Sequence, residues 1–311
     1  MIDVQRLAVF REVASAGSFA GAATALHHTP SAVSQQIAAL ERSVGVQLVE
    51  RSTRGVRLTA AGHILLEGAV AVASEVRAVE RRLAEFRAEG PSSLTVVAFP
   101  SAGEVLLAPA LTDLTADAHQ PADITVVEAE PDDALAAVRH GEADLALVYH
   151  FHTPEPPRNW SDLAGPGEYQ HLMSDELRLV VPADHNLAGR SSASITAFAH
   201  ERWIHAWGEP GSVLDTLAAV HGFRPEVACR SSDYRFMCAL VAAGVGIALV
   251  PHLALAGIPG TSDLAIDTLP KRFVGIYMPI RPWRHGAAQR LAAALEIRAR
   301  SLTGSRSRND S

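Results

Sequence analysis

Apolar side chains in the first sixty residues recur in three helical bursts. In VQRLAVFREVASAG, Leu7, Phe10, Val13 and Ala14 fall on one face, and Gly17 stands where a helix can end in a left-handed residue. Ser18 then caps SFAGAATAL, in which Phe19 and Leu26 supply core contacts and the small Ala22 and Ala23 allow close helix approach. HHTP turns the chain into TPSAVSQQIAAL, with Thr29 as N-cap and Pro30 in the first turn, where its missing N–H costs nothing. At about 100° per residue, Val33, Ile37 and Leu40 share one side of this third helix. Ser31, Ser34, Gln35 and Ala38 share the other, so the helix has a side to bury and a polar ridge to present. After Gly45, VQLVERSTRGVRLTAAG places two apolar stretches around the turn-prone STRG, which predicts a two-stranded wing.

From Thr59 to Glu89 there is no proline, and Leu65, Ala69, Val72, Val76, Val79, Leu83 and Phe86 repeat in steps of four and three. Glu75, Arg77, Glu80, Arg81 and Arg82 surround this heptad seam, which predicts a helix that meets a partner helix. At roughly 30 residues it would be about 45 Å long. Gly90 and Pro91 end it, and Ser92 and Ser93 continue as a predicted hinge. Beyond lies an alternation of strands and helices: LTVVAF, VLLAPALTDL, DITVVEA, DDALAAVRHG and ADLALVY, then a loop rich in proline and glycine. A second set runs through LRLVVPA, SITAFAHE, RWIHAW, SVLDTLAAVHGF, EVACRSS, a helix from Asp233 to Ala243, and GIALVP. Such alternation predicts parallel sheets covered by helices. The last strands and LAAALEIRARS find no room in the second set and are expected to return to the first, leaving a cleft between two lobes.

A chain of 311 residues with 48% hydrophobic content is long enough for two or three domains with sizeable cores. The expected division is 1–58, a DNA-binding head; 59–90, a linker and dimerisation helix; and 91–311, a two-lobed body. Its first lobe takes 91–166 and 269–311, and its second 167–268. No run of eighteen apolar residues occurs, and MIDVQRLAVFREV has no basic region followed by an apolar stretch and a cleavage site, so a cytoplasmic protein without a membrane partner is expected. The formal charge of −7 argues against a nucleic-acid binder until it is divided: residues 1–60 carry +2 and the rest −9. Phosphate contact responds to the local field, which decays over about 8 Å at physiological salt, so a mildly basic head on an acidic body is compatible with DNA.

A short helix, a tight turn and a second helix with a clean polar face form a helix-turn-helix, which lays its second helix in the major groove. Serine hydroxyls reach phosphates or base edges, and glutamine bonds bidentately to adenine. The expected DNA contacts are therefore Thr29, Pro30, Ser31, Ser34 and Gln35. Arg51, Arg54 and Arg57 on the wing join them, since phosphates and a narrow minor groove both attract guanidinium.

These residues carry a resemblance. The run LAVFREVASAGSFAGAATALHHTPSAVSQQIAALERSVGVQLVERSTRGVRLTAAG is similar to the winged helix-turn-helix of LysR-type transcriptional regulators, over residues 1–65. Val49 stands where that family commonly has Phe, and Ser31 where it commonly has a second Pro or an Ala. The resemblance implies an α/β multidomain chain: a winged helix-turn-helix, a long linker helix and a periplasmic-binding-protein-like, two-lobed α/β effector domain, which AAGVGIALVP also resembles. It implies promoter DNA, a small-molecule effector and a second copy of the chain, as homodimer or homotetramer, for partners. The activity expected is sequence-specific transcriptional regulation. An architectural or repressor protein without a ligand, and more distantly an enzyme with a helical accessory domain, are the other readings.

Ligands of open parallel sheets lie beyond the carboxyl ends of strands, near helix N-termini. That rule names Ser101, Glu130, His150, Phe151, His205, Trp207 and Ser232 as effector-site candidates. Ser101 leads them, because a capping serine can bond an effector carboxylate, and the resemblance implies a Ser or Thr at this place. Phe151 and Trp207 would cover a ring, so a small organic acid or aromatic is the expected ligand class. No metal or other cofactor is expected: His150, His152 and His171 lack a paired carboxylate or Cys to complete a ligand set. Cys229 and Cys238 have no CxxC spacing, and no GxSxG elbow accompanies the Ser, His and Asp residues of the body.

Overall fold

The computed structural model describes residues 2–52, 55–87, 92–115, 122–151, 160, 166–206, 213–255, 258–266, 269–280 and 286–309. Three helices open the chain: α1 (Val4–Ala16), α2 (Phe19–Ala25) and α3 (Pro30–Val44). Asp3, Ser18 and Thr29 each accept a backbone N–H at the respective N-cap, and Gly17 and Gly45 end α1 and α3 in the left-handed conformation. Phe10, Val13, Val33, Ile37 and Leu40 are fully buried, and Ala22 and Ala23 lie in the same core.

The wing follows as an antiparallel pair, β1 (Val49–Ser52) and β2 (Gly55–Leu58). Val49, in the place where a larger Phe is common, is buried in the head's core. Glu41 Oε1 accepts from the N–H groups of Leu48 and Val49, which fixes the hairpin to α3. Its other anchor is the α1–α2 turn, where Val56 N–H donates to the Gly17 carbonyl at 2.8 Å. Gly55 allows that approach: its φ is +127°, and a Cβ there would stand 2.6 Å from the Gly17 oxygen.

Thr59 caps the long helix α4 (Ala60–Arg87) through its hydroxyl. The heptad seam divides along its length. Leu65 and Ala69 belong to the head's core, whereas Val72, Val76, Val79 and Leu83 are exposed; the side chain of Phe86 lies outside the described residues. The opposite face of α4 meets the body, where Arg77 donates to the His140 carbonyl and Ser74 sits against Gly141.

The body is built on strands β3 (Ser92–Ala98), β4 (Ala122–Glu128), β5 (Leu145–His150), β6 (Gly167–Pro182), β7 (Ser192–Ala193), β8 (Arg202–Ala206), β9 (Glu226–Ser231), β10 (Ala248–Pro251), β11 (Thr261–Ile266) and β12 (Lys271–Pro279). Between them lie α5 (Pro100–Ala102), a π-helical turn (Gly103–Leu107), α6 (Ala108–Thr115), α7 (Pro131–Arg139), α8 (Val213–His221) and α9 (Tyr234–Ala242), with α10 (Gly286–Asn309) at the end. Ser92 and Ser93, expected as a hinge, are already paired with Ala122 and Asp123 in the sheet.

Strands run β4-β3-β5-β12-β6 in the first lobe, and β6 continues into the second, where it pairs with β10 and β11. β3 is parallel to β4 and β5 as expected, but β12 is antiparallel to both β5 and β6, because it enters the first sheet from the second lobe. The return of the chain's end to the first lobe is thus made by β12, followed by α10, whose Leu291 and Leu295 are buried with Val96, Leu147 and Ile276. The expected start of the second lobe at residue 167 falls differently. Gly167 to Glu176 pair with β12 in the first sheet, and Leu177 to Pro182 pair with β10 and β11, so the crossing lies inside one strand.

Candidate functional sites

The head's polar ridge is built by burying its reverse. With Val33, Ile37 and Leu40 fully enclosed, Ser31 and Gln35 are exposed and Ser34 is half-buried on the far side of α3. Thr29 Oγ1 accepts from Ala32 N–H at 3.2 Å and lies 3.0 Å from Ser31 Oγ, so two exposed hydroxyls are held together at the helix start. Pro30 is exposed beside them, where the helix N-terminus favours anionic groups. Arg57 is exposed on β2. Arg54 and the side chain of Arg51 lie outside the described residues.

A second polar cluster forms where β6 and β12 cross between lobes. Arg272 and Asp175 are register partners on these strands, and both are completely buried. Arg272 donates from Nε at 3.1 Å and from Nη2 at 2.7 Å to Asp175 Oδ2, while Asp175 Oδ1 accepts from Leu253 N–H in the turn after β10. Nη2 also donates to Ser101 Oγ at 3.0 Å. The Phe99 and Tyr149 rings lie 5.0 and 4.8 Å from the guanidinium carbon. Tyr149 in turn donates its hydroxyl to Glu130 at 2.8 Å, and burial pushes its pKa upward. Tyr234, at the start of α9, is likewise raised, first by burial, with the charges of Arg272, Glu130 and Asp175 all acting on it. Beside it, Arg235 of the second lobe pairs with Glu104 of the first.

Of the expected effector contacts, this cluster gathers Ser101, Glu130 and Phe151, whose ring meets Tyr149 edge-on at 5.7 Å. Ser101 is turned to Arg272, as its acceptor, and Phe99, just before α5, has no side chain to cap it. His150 points elsewhere, because alternate residues of β5 face opposite ways: Tyr149 packs with Phe99, whereas His150 is buried among Trp160, Tyr169 and Phe273. His205 is buried in the second lobe, 3.2 Å from Asp215 and with Nδ1 2.6 Å from the Ala206 carbonyl. Ser232 is exposed, while its neighbour Ser231 is buried and accepts from Asp233 N–H. Trp207 and His152 lie outside the described residues.

Arg272, Asp175, Tyr149, Tyr234 and the Glu104–Arg235 pair went unnamed in the sequence. The sequence gives little warning of them, because Asp175 stands between Ser174 and Glu176 and Arg272 follows Lys271, so neither charge interrupts an apolar run that would mark it as buried. Cys238 is buried, which raises its thiol to about 11, and Cys229 is half-buried with its Sγ donating to the Arg230 carbonyl. Among the described residues no three His, Cys, Asp or Glu gather as a metal site.

Two segments of the chain match known families. Residues 4–63 match the model for the bacterial regulatory helix-turn-helix protein, lysR family, and residues 87–299 match that for the LysR substrate binding domain. An uncharacterized HTH-type transcriptional regulator of Mycobacterium tuberculosis is 31% identical over 274 residues, spanning 84% of this chain and 82% of that one. Among solved structures, a cysteine mutant of OxyR from Corynebacterium glutamicum is 27% identical with a TM-score of 0.55, over 99% of this chain and 97% of that one. CbnR, a LysR family transcriptional regulator, shares the fold at 21% identity and a TM-score of 0.60, over 96% of this chain and 99% of that one.

Proposed function

The chain belongs to the LysR family of transcriptional regulators, and from that premise we propose which of its residues read DNA and which sense an effector. It is a DNA-binding regulator with an effector-binding domain and not an enzyme. The observation that carries the DNA reading is the two-sided α3: Val33, Ile37 and Leu40 have no exposed surface, and the opposite ridge offers the Thr29 and Ser31 hydroxyls and the Gln35 amide. Ser31, Ser34 and Gln35 meet base edges in the major groove, Thr29 and Pro30 meet phosphates at the helix start, and Arg51, Arg54 and Arg57 hold the backbone through the wing.

The effector enters between the lobes, against Ser101, Glu130, Tyr149, Phe151 and Arg272. By binding both lobes it shifts their relation, and the shift reaches the heads through the α4 helices of an oligomer. Among the described residues no helix is long and apolar enough to cross a membrane, and a reader of promoter DNA acts in the cytoplasm. The test is a titration of the full chain against DNA upstream of its own gene at rising salt. Log affinity should fall linearly with log salt, and affinity indifferent to salt would remove the phosphate contacts from the account.

A further inference from the structure

Among the described residues, the interlobe cluster has one donor without an acceptor and one carboxylate without a cation. Arg272 is wholly buried, and although Nε and Nη2 are bonded to Asp175 and Ser101, Nη1 is enclosed with no hydrogen-bond partner among the described residues. A buried guanidinium N–H lacking an acceptor is costly to keep, so an acceptor arriving there is strongly favoured. At the other end of the cluster, Glu130 is exposed at the start of α7 and does not cap that helix; its Oε2 is held by the Tyr149 hydroxyl. Tyr149 joins the two sites, since its ring lies against the Arg272 guanidinium while its hydroxyl bonds Glu130. The guanidinium therefore lies over the face of the same phenol whose hydroxyl holds the carboxylate.

Charge decides what fits between them. The positive charge of Arg272 is already met by Asp175, and that of Arg235 by Glu104. Among the described residues no cation pairs with Glu130. A ligand that was only an anion would bring like charge beside Glu130, with no surplus positive charge to receive it. Arg272 offers a directed N–H instead of a net field, and Glu130 offers the negative field. We propose that the cleft takes a small zwitterion, an α-amino acid, with a carboxylate oxygen accepting from Arg272 Nη1 and the ammonium group facing Glu130. Its side chain then lies against Phe151 and Tyr234, and because Tyr234 comes from the second lobe, occupancy ties the lobes together. This assignment rests on the reading of the cleft as the effector site.

The test is calorimetric titration of the full chain with each of the proteinogenic L-amino acids. For any that binds, its 2-oxo acid, which lacks the ammonium, and the amine lacking its carboxylate are titrated as well. At least one amino acid should bind, and both analogues should bind at least tenfold more weakly. Glu130→Gln, at an exposed position outside the core, should lower amino-acid affinity tenfold or more while leaving that of the oxo acid equal or raised, since a like charge is removed. Arg272→Met should erase the preference for the amino acid over the amine. An oxo acid that matches its amino acid, or a Glu130→Gln variant that keeps the discrimination, overturns the zwitterion and leaves the cleft as an effector site. Binding by none of the amino acids overturns it too. A thermal-shift screen of anionic, neutral and cationic metabolites on the same protein then judges the effector site separately.

Discussion

At the scale of single residues, the Asp175–Arg272 pair joins three pieces of chain that are distant in sequence: β6, the turn after β10, and β12. Removing one partner leaves a buried charge without its counterion, so Asp175→Ala should cost about 3–5 kcal/mol in denaturant unfolding. Replacing both partners with apolar residues of similar volume, Asp175→Leu with Arg272→Met, should restore most of that loss. A double variant no more stable than Asp175→Ala would show that the pair is not the source of the cost. On the head, Arg57→Ala should weaken binding to every duplex and reduce the salt slope by about 1, whereas Gln35→Ala should alter preference among sequences; affinity measurements on two duplexes at two salt concentrations separate these effects. Side-chain directions were legible where an amphipathic pattern forced them, as with buried Val33 against half-buried Ser34 on α3. They were not legible for His150, because the rule that ligands lie at strand ends does not say which face a terminal side chain takes, and a neighbouring position reverses it.

At the scale of elements, helical spacing and caps marked α1 to α3 closely, since Gly17, Ser18 and Thr29 cap where expected, while the caps at Asp3 and Gly45 went unnamed. The first half of β6 escaped notice for a physical reason. GEYQHLMSDE is polar because one of its inward positions, Asp175, is satisfied by Arg272 instead of by apolar contact, so hydrophobic alternation fails where the strand matters most. The wing depends on a single close approach. Gly55→Ala would drive a Cβ into the Gly17 oxygen and strain a positive-φ position, so it should destabilise the head by about 1–3 kcal/mol and lower DNA affinity.

The joint between α4 and the first lobe should be sensitive to acid. Burial holds the His140 imidazole below its ordinary 6.5; Glu142 pulls it upward, while Arg11, Arg139 and Arg77 push it further down. A histidine whose folded pKa is lowered contributes stability that is present above the unfolded value of 6.5 and lost as pH falls below it. Thermal unfolding should therefore show stability declining below pH 6.5, and His140→Gln should make that decline shallower; an unchanged slope would detach His140 from it.

At the scale of the whole molecule, three units are linked by one helix and one shared strand. α4 carries the head's core at its start and an exposed apolar stripe of Val72, Val76, Val79 and Leu83 further on, while β6 runs through both sheets of the body. The stripe is the surface on which a second copy of the chain would pair, so Val76→Asp should shift sedimentation toward the monomer and weaken operator binding. The two-lobed plan with a returning C-terminus was legible because too many strands followed the second set to fit in it. The position of the crossing was not, since it depends on register and not on composition. The central claim is that α3 and the wing read a specific duplex as paired heads. Selection of bound sequences from a random duplex library by the full chain tests it most directly: the account predicts enrichment of a two-fold-related pair of half-sites, lost with Gln35→Ala, and it is contradicted if folded protein in dilute buffer enriches no sequence at all.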